Sequence, residues 1–240
     1  MSRGRGPSRL MVSRRALVRG SLIGGALVMT GTQAGCGSAS STGGAGETER
    51  AKELDTGSSS VVPRGSGAVL LAYFSRPGEN YYYGDRIDLK VGHTEVLAGM
   101  IAERIDCDVY RIEAADPYSD DYDATVERNK REQEADARPD IAKPLPSLEG
   151  YDLVLLASPI WNVRPPMIMS TFAEALDFAD VTVHPVTTHA MSGLGTAERD
   201  YAEVCRGATL AQGLAVQGEA VKKSGAALDR WLRRTGLARA

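Results

Sequence analysis

Apolar residues are spread unevenly along the chain. Up to residue 67 the only sustained apolar run, Leu22 to Met29, is interrupted by glycine and too short to cross a bilayer as a helix. From Ala68 onward, apolar runs of strand length alternate with stretches whose apolar residues recur at helical spacing, a pattern that predicts parallel strands joined by crossover helices. The first run is Ala68 to Phe74, and Leu97, Met100, Ile101 and Ile105 then share one face of a helix starting at Thr94. A short second strand covers Asp108 to Ile112. A long polar helix runs from about Asp121 to Ala137 and stops at Arg138-Pro139, because proline disfavours helical geometry in the residue before it. The almost unbroken apolar run Asp152 to Ala157 suits the centre of a sheet covered on both faces. Met167 to Leu176, Val181 to Val186 and Glu198 to Cys205 supply the next helix, strand and helix. Thr209 to Val216 is a fifth strand, and Val221, Leu228, Trp231 and Leu232 share a face of a last helix from Glu219 to Arg234. The expected architecture is α/β, a doubly wound five-stranded parallel sheet in the order 2-1-3-4-5 with helices on both faces.

The first 67 residues belong to a different regime. Six arginines and no acid within residues 1 to 36, followed by a weakly apolar block and then small residues, read as an export signal, and Ser13-Arg14-Arg15-Ala16-Leu17 resembles the twin-arginine type. Two outcomes are compatible with Ala34-Gly35-Cys36: a lipid anchor on Cys36, or peptidase cleavage after Ala34. Residues 37 to 67, rich in Ser, Gly and Thr, cannot bury enough surface to offset the entropy of ordering, and read as a flexible linker to a domain of residues 68 to 240. The location expected from this is outside the cytoplasmic membrane: periplasmic, extracellular or membrane-anchored. Removing the signal changes the charge balance. The formal charge of −3 becomes about −9 for the remainder, since 22 basic residues then face 31 acidic ones. An excess of that sign argues against nucleic acid as a partner. Cys36, Cys107 and Cys205 show no metal-like or Cys-x-x-Cys spacing, so no metal site is expected, and the strand order puts Cys107 and Cys205 too far apart for a disulfide.

In a doubly wound sheet the ligand lies beyond the carboxyl ends of the strands, near the switch between the first and third. The first strand has no Gly-x-Gly-x-x-Gly after it, which disfavours a dinucleotide site. It leads instead into Ser75-Arg76-Pro77-Gly78-Glu79-Asn80 and, further on, Gly92-His93-Thr94 at a helix start. Small hydroxyl residues and glycine there let backbone N–H groups close around a phosphate dianion, although Thr94 serves equally well as a helix cap. The third strand ends in Ser158-Pro159-Ile160-Trp161-Asn162-Val163, and the fourth in Thr187-Thr188-His189-Ala190-Met191-Ser192-Gly193-Leu194-Gly195. A hydrolase triad through His189 and Ser192 is disfavoured, because the Gly-x-Ser-x-Gly elbow is absent.

These loops, together with Tyr73 to Asn80 and Asp136-Ala137-Arg138-Pro139, resemble the flavodoxin family, in a variant with a long insertion in its phosphate loop. The resemblance implies non-covalent flavin mononucleotide (FMN), with Ser75, Arg76, Gly92, His93 and Thr94 at its phosphate. It sets Pro159, Ile160, Trp161 and Asn162 on one side of the isoalloxazine and Thr188, His189, Ser192, Gly193 and Gly195 on the other. His93 stands where the phosphate loop commonly has asparagine. Trp161 either stacks on the flavin or packs in the core. Asn162 tolerates the positive φ that lets a loop carbonyl meet the N5–H of a reduced flavin. Tyr81, Tyr82 and Tyr83 fall in a loop long enough to cover the ring. The implied activity is electron transfer to a redox partner protein or a small-molecule acceptor. An FMN-dependent quinone or flavin reductase and a flavin-free binding module on the same fold are the alternatives.

Overall fold

The computed structural model describes residues 68–238, so the export signal, Cys36 and the linker lie outside the described residues. Among these, β1 (Ala68–Phe74), β4 (Asp108–Ile112), β5 (Tyr151–Pro159), β6 (Thr182–His189), β7 (Thr209–Leu210) and β8 (Leu214–Gln217) form one parallel sheet in the order β4-β1-β5-β6, with β7 and β8 both pairing β6. Counting β7 and β8 as one interrupted strand, the order is 2-1-3-4-5. That is the topology the alternating pattern implied.

Alternation along the strands sorts the core into two layers. Leu70, Ala72 and Phe74 of β1 pack with Val154, Leu156, Phe172 and Tyr201, on the side covered by α3 (Met167–Glu174) and α4 (Ala197–Val204). Leu71 and Tyr73 point the other way, against Leu97, Ile101, Leu228 and Trp231 of α1 (His93–Ala102) and α5 (Gly225–Thr235). Cys205 is buried in the first layer and Cys107 packs against the second, so the sheet stands between them. Burial in apolar surroundings pushes the Cys205 thiol up to about 12, which keeps it protonated and inert.

Several boundaries differ from the sequence expectation. Residues 78–89 form a hairpin, β2 (Gly78–Tyr82) and β3 (Asp85–Leu89), turned by Tyr83 and Gly84 at φ 49° and 96°. Such a turn normally signals itself with Asn-Gly, and the tyrosine hides it. The helix α2 (Tyr122–Glu134) stops short of Ala137 because Asp136 turns left-handed. The Ala137 N–H then bonds the Glu132 carbonyl and that of Asp136 the Gln133 carbonyl, a Schellman closure placed before the proline acts. β6 continues through Thr188 and His189, making both strand residues.

The fifth strand is broken. Pairing with β6 runs from Val183 opposite Leu210 to Val186 opposite Leu214, so the outer strand carries one residue more than its partner. Pro185 sits between, and the Val183 carbonyl accepts from Ala211 on this side. By strand parity Pro185 faces the same edge, where it has no N–H to offer, and the extra residue accommodates the gap. After the break the helix expected from Glu219 to Arg234 is divided: Gly218–Lys223 is a 3₁₀ turn, and α5 begins only at Gly225.

Candidate functional site

Beyond the carboxyl ends of β1, β5 and β6 lies a cavity of about 600 Å³. At one end β1 runs into Ser75 and Arg76, both 7% exposed, which meet the start of α1. Gly92 is obligatory there, since a Cβ would stand 2.3 Å from Ser75 Oγ and 2.4 Å from the Arg76 carbonyl oxygen. Gly92, not Thr94, is the helix N-cap, and it offers no side-chain bond. Ser75 Oγ acts instead, accepting the Glu95 N–H at 3.1 Å from across the chain. Thr94 lies in the first turn, where its hydroxyl bonds that of Thr188 at 2.7 Å, clipping α1 to the end of β6. First-turn N–H groups and two hydroxyls therefore converge where the helix dipole is positive.

Arg76 reaches the cavity, but its guanidinium is engaged elsewhere. It donates to the carbonyls of Ser119 at 2.7 Å, Asp120 at 3.1 Å and Glu79, tying the base of the hairpin to the start of α2. Only its Nε–H is buried without a partner. Burial pulls its pKa below the ordinary arginine value, against the nearby Asp120 and Asp121 carboxylates, which raise it.

At the other end, Trp161 to Arg164 form a tight turn closed by the Trp161 N–H on the Arg164 carbonyl at 2.9 Å. Asn162 and Val163 both take left-handed φ, 48° and 64°. For asparagine this is tolerable, as the sequence suggested; for β-branched valine it is strain of about 1–3 kcal/mol. The turn is over-determined by its neighbours. Gln133 of α2 donates to the Trp161 carbonyl at 3.0 Å and accepts from the Asn162 side-chain amide at 2.9 Å. Behind it the Thr196 N–H holds the Val163 carbonyl at 2.9 Å, and Gly195 at φ 54° leaves no room for a Cβ, which would lie 2.3 Å from that same oxygen. The Trp161 ring packs edge-on against Phe74 and Tyr118, with centroids 5.6 and 5.2 Å away, while also lining the cavity. It both packs in the core and faces the site.

Of the residues singled out from sequence, Ser75, Arg76, His93, Thr94, Pro159, Ile160, Trp161, Asn162, Thr188, His189 and Ser192 line this one cavity. Gly92, Gly193 and Gly195 do not line it. Gly92 and Gly195 back the two ends, and Gly193, at φ 59°, holds the loop through its carbonyl, which accepts the Thr187 hydroxyl at 3.0 Å. The Asp136–Pro139 segment stays outside; Arg138 there forms a fork with Glu174 at 2.6 and 2.7 Å. Two walls escaped sequence reasoning. One is α2, whose Thr125 and Asn129 are 4% and 3% exposed, one turn apart, in a helix that reads as polar all round. The available signal was a pair of uncharged polar residues four apart in a helix otherwise rich in charge. The other is Gly218 and Glu219 after the broken fifth strand.

Tyr81 lines the cavity too, and the hairpin that carries it is pinned on both flanks. Arg86 makes a two-pronged pair with Asp123 at 2.9 and 2.7 Å, and the Tyr83 N–H reaches Glu219 Oε1 at 3.4 Å. Among the described residues no group of three or more His, Cys, Asp and Glu is placed to hold a metal ion, and no helix is long and apolar enough to cross a membrane.

A ligand suited to this space has an anionic end, for the α1 terminus, and a flat apolar body, for the slot between the Trp161–Asn162 turn and the His189–Ser192 loop. A phosphorylated flavin answers that description, and the buried, unpartnered Nε–H of Arg76 and ring nitrogens of His93 and His189 await polar contacts of that kind. The fold and site together define a nucleotide-binding protein of the doubly wound class with its ligand at the strand switch. The family model for flavodoxin matches residues 89–235, and the chain belongs to that family. Among solved structures, a candidate flavoprotein from Bacteroides uniformis ATCC 8492 is 27% identical with a TM-score of 0.54, covering 68% of this chain and 99% of its own. Another from Bacteroides eggerthii DSM 20697 is 24% identical with the same TM-score, covering 70% and 98%. No curated protein matches this sequence.

Proposed function

We propose that this protein holds FMN non-covalently and passes electrons between a reductant and a redox partner protein or small-molecule acceptor. FMN is the cofactor that family membership supports, and one observation carries the reading to this chain. The hydroxyl-and-glycine cradle at the α1 terminus and the braced left-handed turn at Asn162 face the same cavity from opposite ends. Ser75, Thr94 and the first-turn N–H groups of α1 would hold the phosphate. Trp161, with the backbone of the Asn162 turn and the His189–Ser192 loop, would flank the ring. When bound, FMN supplies the capacity to take up and release electrons.

The chain's own contribution is positioning and exclusion of water. The Gln133 brace fixes which backbone groups of the turn meet the ring edge, and Tyr81 on the pinned hairpin narrows access from the side. His189 favours a second reading, a reductase with its own small substrate, because this titratable ring lines the cavity at the end of β6. The export reading of residues 1–36 sets this activity outside the cytoplasmic membrane.

A visible absorption spectrum tests the assignment. Protein purified from its native host, or reconstituted with FMN and freed of excess, should carry flavin bands at close to one equivalent. A colourless protein that takes up no FMN refutes it and leaves a flavin-free binding module. Rapid oxidation of a nicotinamide in the presence of a quinone would move the assignment from carrier to reductase.

A further inference from the structure

His93 is the first residue of α1, at the place where a phosphate would sit, and its ring is wedged against the 3₁₀ turn. A Cβ on Gly218 would lie 2.7 Å from its Cδ2 and 3.4 Å from its Nε2. That Nε2 is buried and bonded to nothing. Glu219, the next residue of the turn, likewise has a buried oxygen, Oε2, without a partner, while Oε1 takes the hairpin N–H. His93 thus lines the cavity at the anion-binding helix end, with its Nε2 buried and unpartnered beside the turn that carries the Glu219 carboxylate.

Accepting FMN as the ligand, we propose that His93 is the residue that tells FMN from unphosphorylated flavin, by taking up a proton as the phosphate enters and donating it as an N–H bond to that group. Glu219 is the positioning residue that keeps the resulting imidazolium in place. Other charges around the ring do not take over this role. Lys222, on the same turn, opposes protonation; Glu95 on α1 is committed to Arg111 at 2.9 Å; the two terminal nitrogens of Arg76 are on carbonyls; His189 approaches from the end of β6. With no ligand, burial holds the His93 pKa below its ordinary value, outweighing the opposite pull of Glu219 and favouring the neutral ring. A dianion at the helix end reverses that preference.

The sign follows from linkage. A group whose pKa rises on binding gives an affinity that grows as pH falls through the bound-state pKa and levels off below the free-state one. Measured between about pH 8 and 6.5, where a phosphate with its second pKa near about 6 stays mostly dianionic, the FMN dissociation constant should fall severalfold, with one proton setting a limit of about tenfold per pH unit. Riboflavin should show no such slope. His93→Asn should remove the slope for FMN while leaving riboflavin affinity within about twofold, and Glu219→Gln should shift the FMN profile to lower pH. Independently of any variant, the heat of FMN binding to the wild type at about pH 7.5 in two buffers of different ionisation enthalpy should report net proton uptake. FMN bound more tightly than riboflavin, yet with no slope and no proton uptake, overturns the role of His93 and leaves the FMN assignment standing. A slope lost in His189→Asn rather than in His93→Asn also overturns it. Equal affinity for the two flavins, or none for either, refutes the FMN assignment itself.

Discussion

Replacing Ser75 and Thr94 together by alanine separates the phosphate role of these hydroxyls from their structural one, and both effects can be sized. Ser75 Oγ now caps the Glu95 N–H, and losing such a cap costs about 0.5–2 kcal/mol. Removing the Thr94 hydroxyl leaves the buried Thr188 hydroxyl without its partner, at about 1–3 kcal/mol. The ligand-free protein should therefore melt roughly 3–20 °C lower, at about 2–4 °C per kcal/mol for a domain of this size. With FMN present, two charge-assisted bonds of about 1.5–3 kcal/mol each are lost as well, so binding should weaken at least about a hundredfold. Riboflavin has the same ring and no phosphate, and its affinity should change less than about threefold. Fluorescence titration of both flavins into both proteins, below the lower melting temperature, reads the difference directly. Equal losses for the two ligands, or no loss for either, would refute the phosphate cradle.

Val163→Asn should stabilise the protein by about 1 kcal/mol, because valine at φ 64° is strained and more than half exposed, whereas asparagine tolerates that conformation; a lower melting temperature would mean that the turn needs the valine side chain. Tyr118→Phe removes the 2.7 Å bond from the buried phenol to the Glu132 carboxylate and should cost about 1.5–3 kcal/mol in urea unfolding, even though Arg128 still pairs with Glu132. A loss under about 0.5 kcal/mol would show that this bond contributes nothing net. Gln133→Leu keeps the helix but frees the Trp161–Asn162 turn, so FMN affinity should fall about tenfold with little change in melting temperature; unchanged affinity would show that the turn holds its shape without the brace.

The sheet order, the two faces and most of the cavity lining were legible because they rest on periodicity and on loops placed after strands. Leu70 and Leu71 alternate between layers simply because side chains on a strand do. What escaped depends on contacts between distant residues. Gln133 looks like one more polar position in a polar helix, and nothing local says that it grips a turn 28 residues on. Tyr83-Gly84 lacks the usual asparagine, so the hairpin read as a loop. Thr94 was open to reading as a cap until the fold brought Ser75 to the Glu95 N–H and Thr188 to the Thr94 hydroxyl. Arg76, expected at the phosphate, has two of its nitrogens turned to carbonyls that only the folded chain supplies.

The break in the fifth strand also bears on what this edge of the sheet offers to another chain. A parallel sheet with a long straight outer strand would present a row of free N–H and C=O groups on which another chain could polymerise. Here the outer margin consists of a two-residue and a four-residue piece set out of step by one position, with Pro185 of the neighbouring strand at the joint. Neither piece is long enough to template an intruding strand. The strand that leads to Gly218 and Glu219 at the cavity is thus also the one that blunts this side of the sheet.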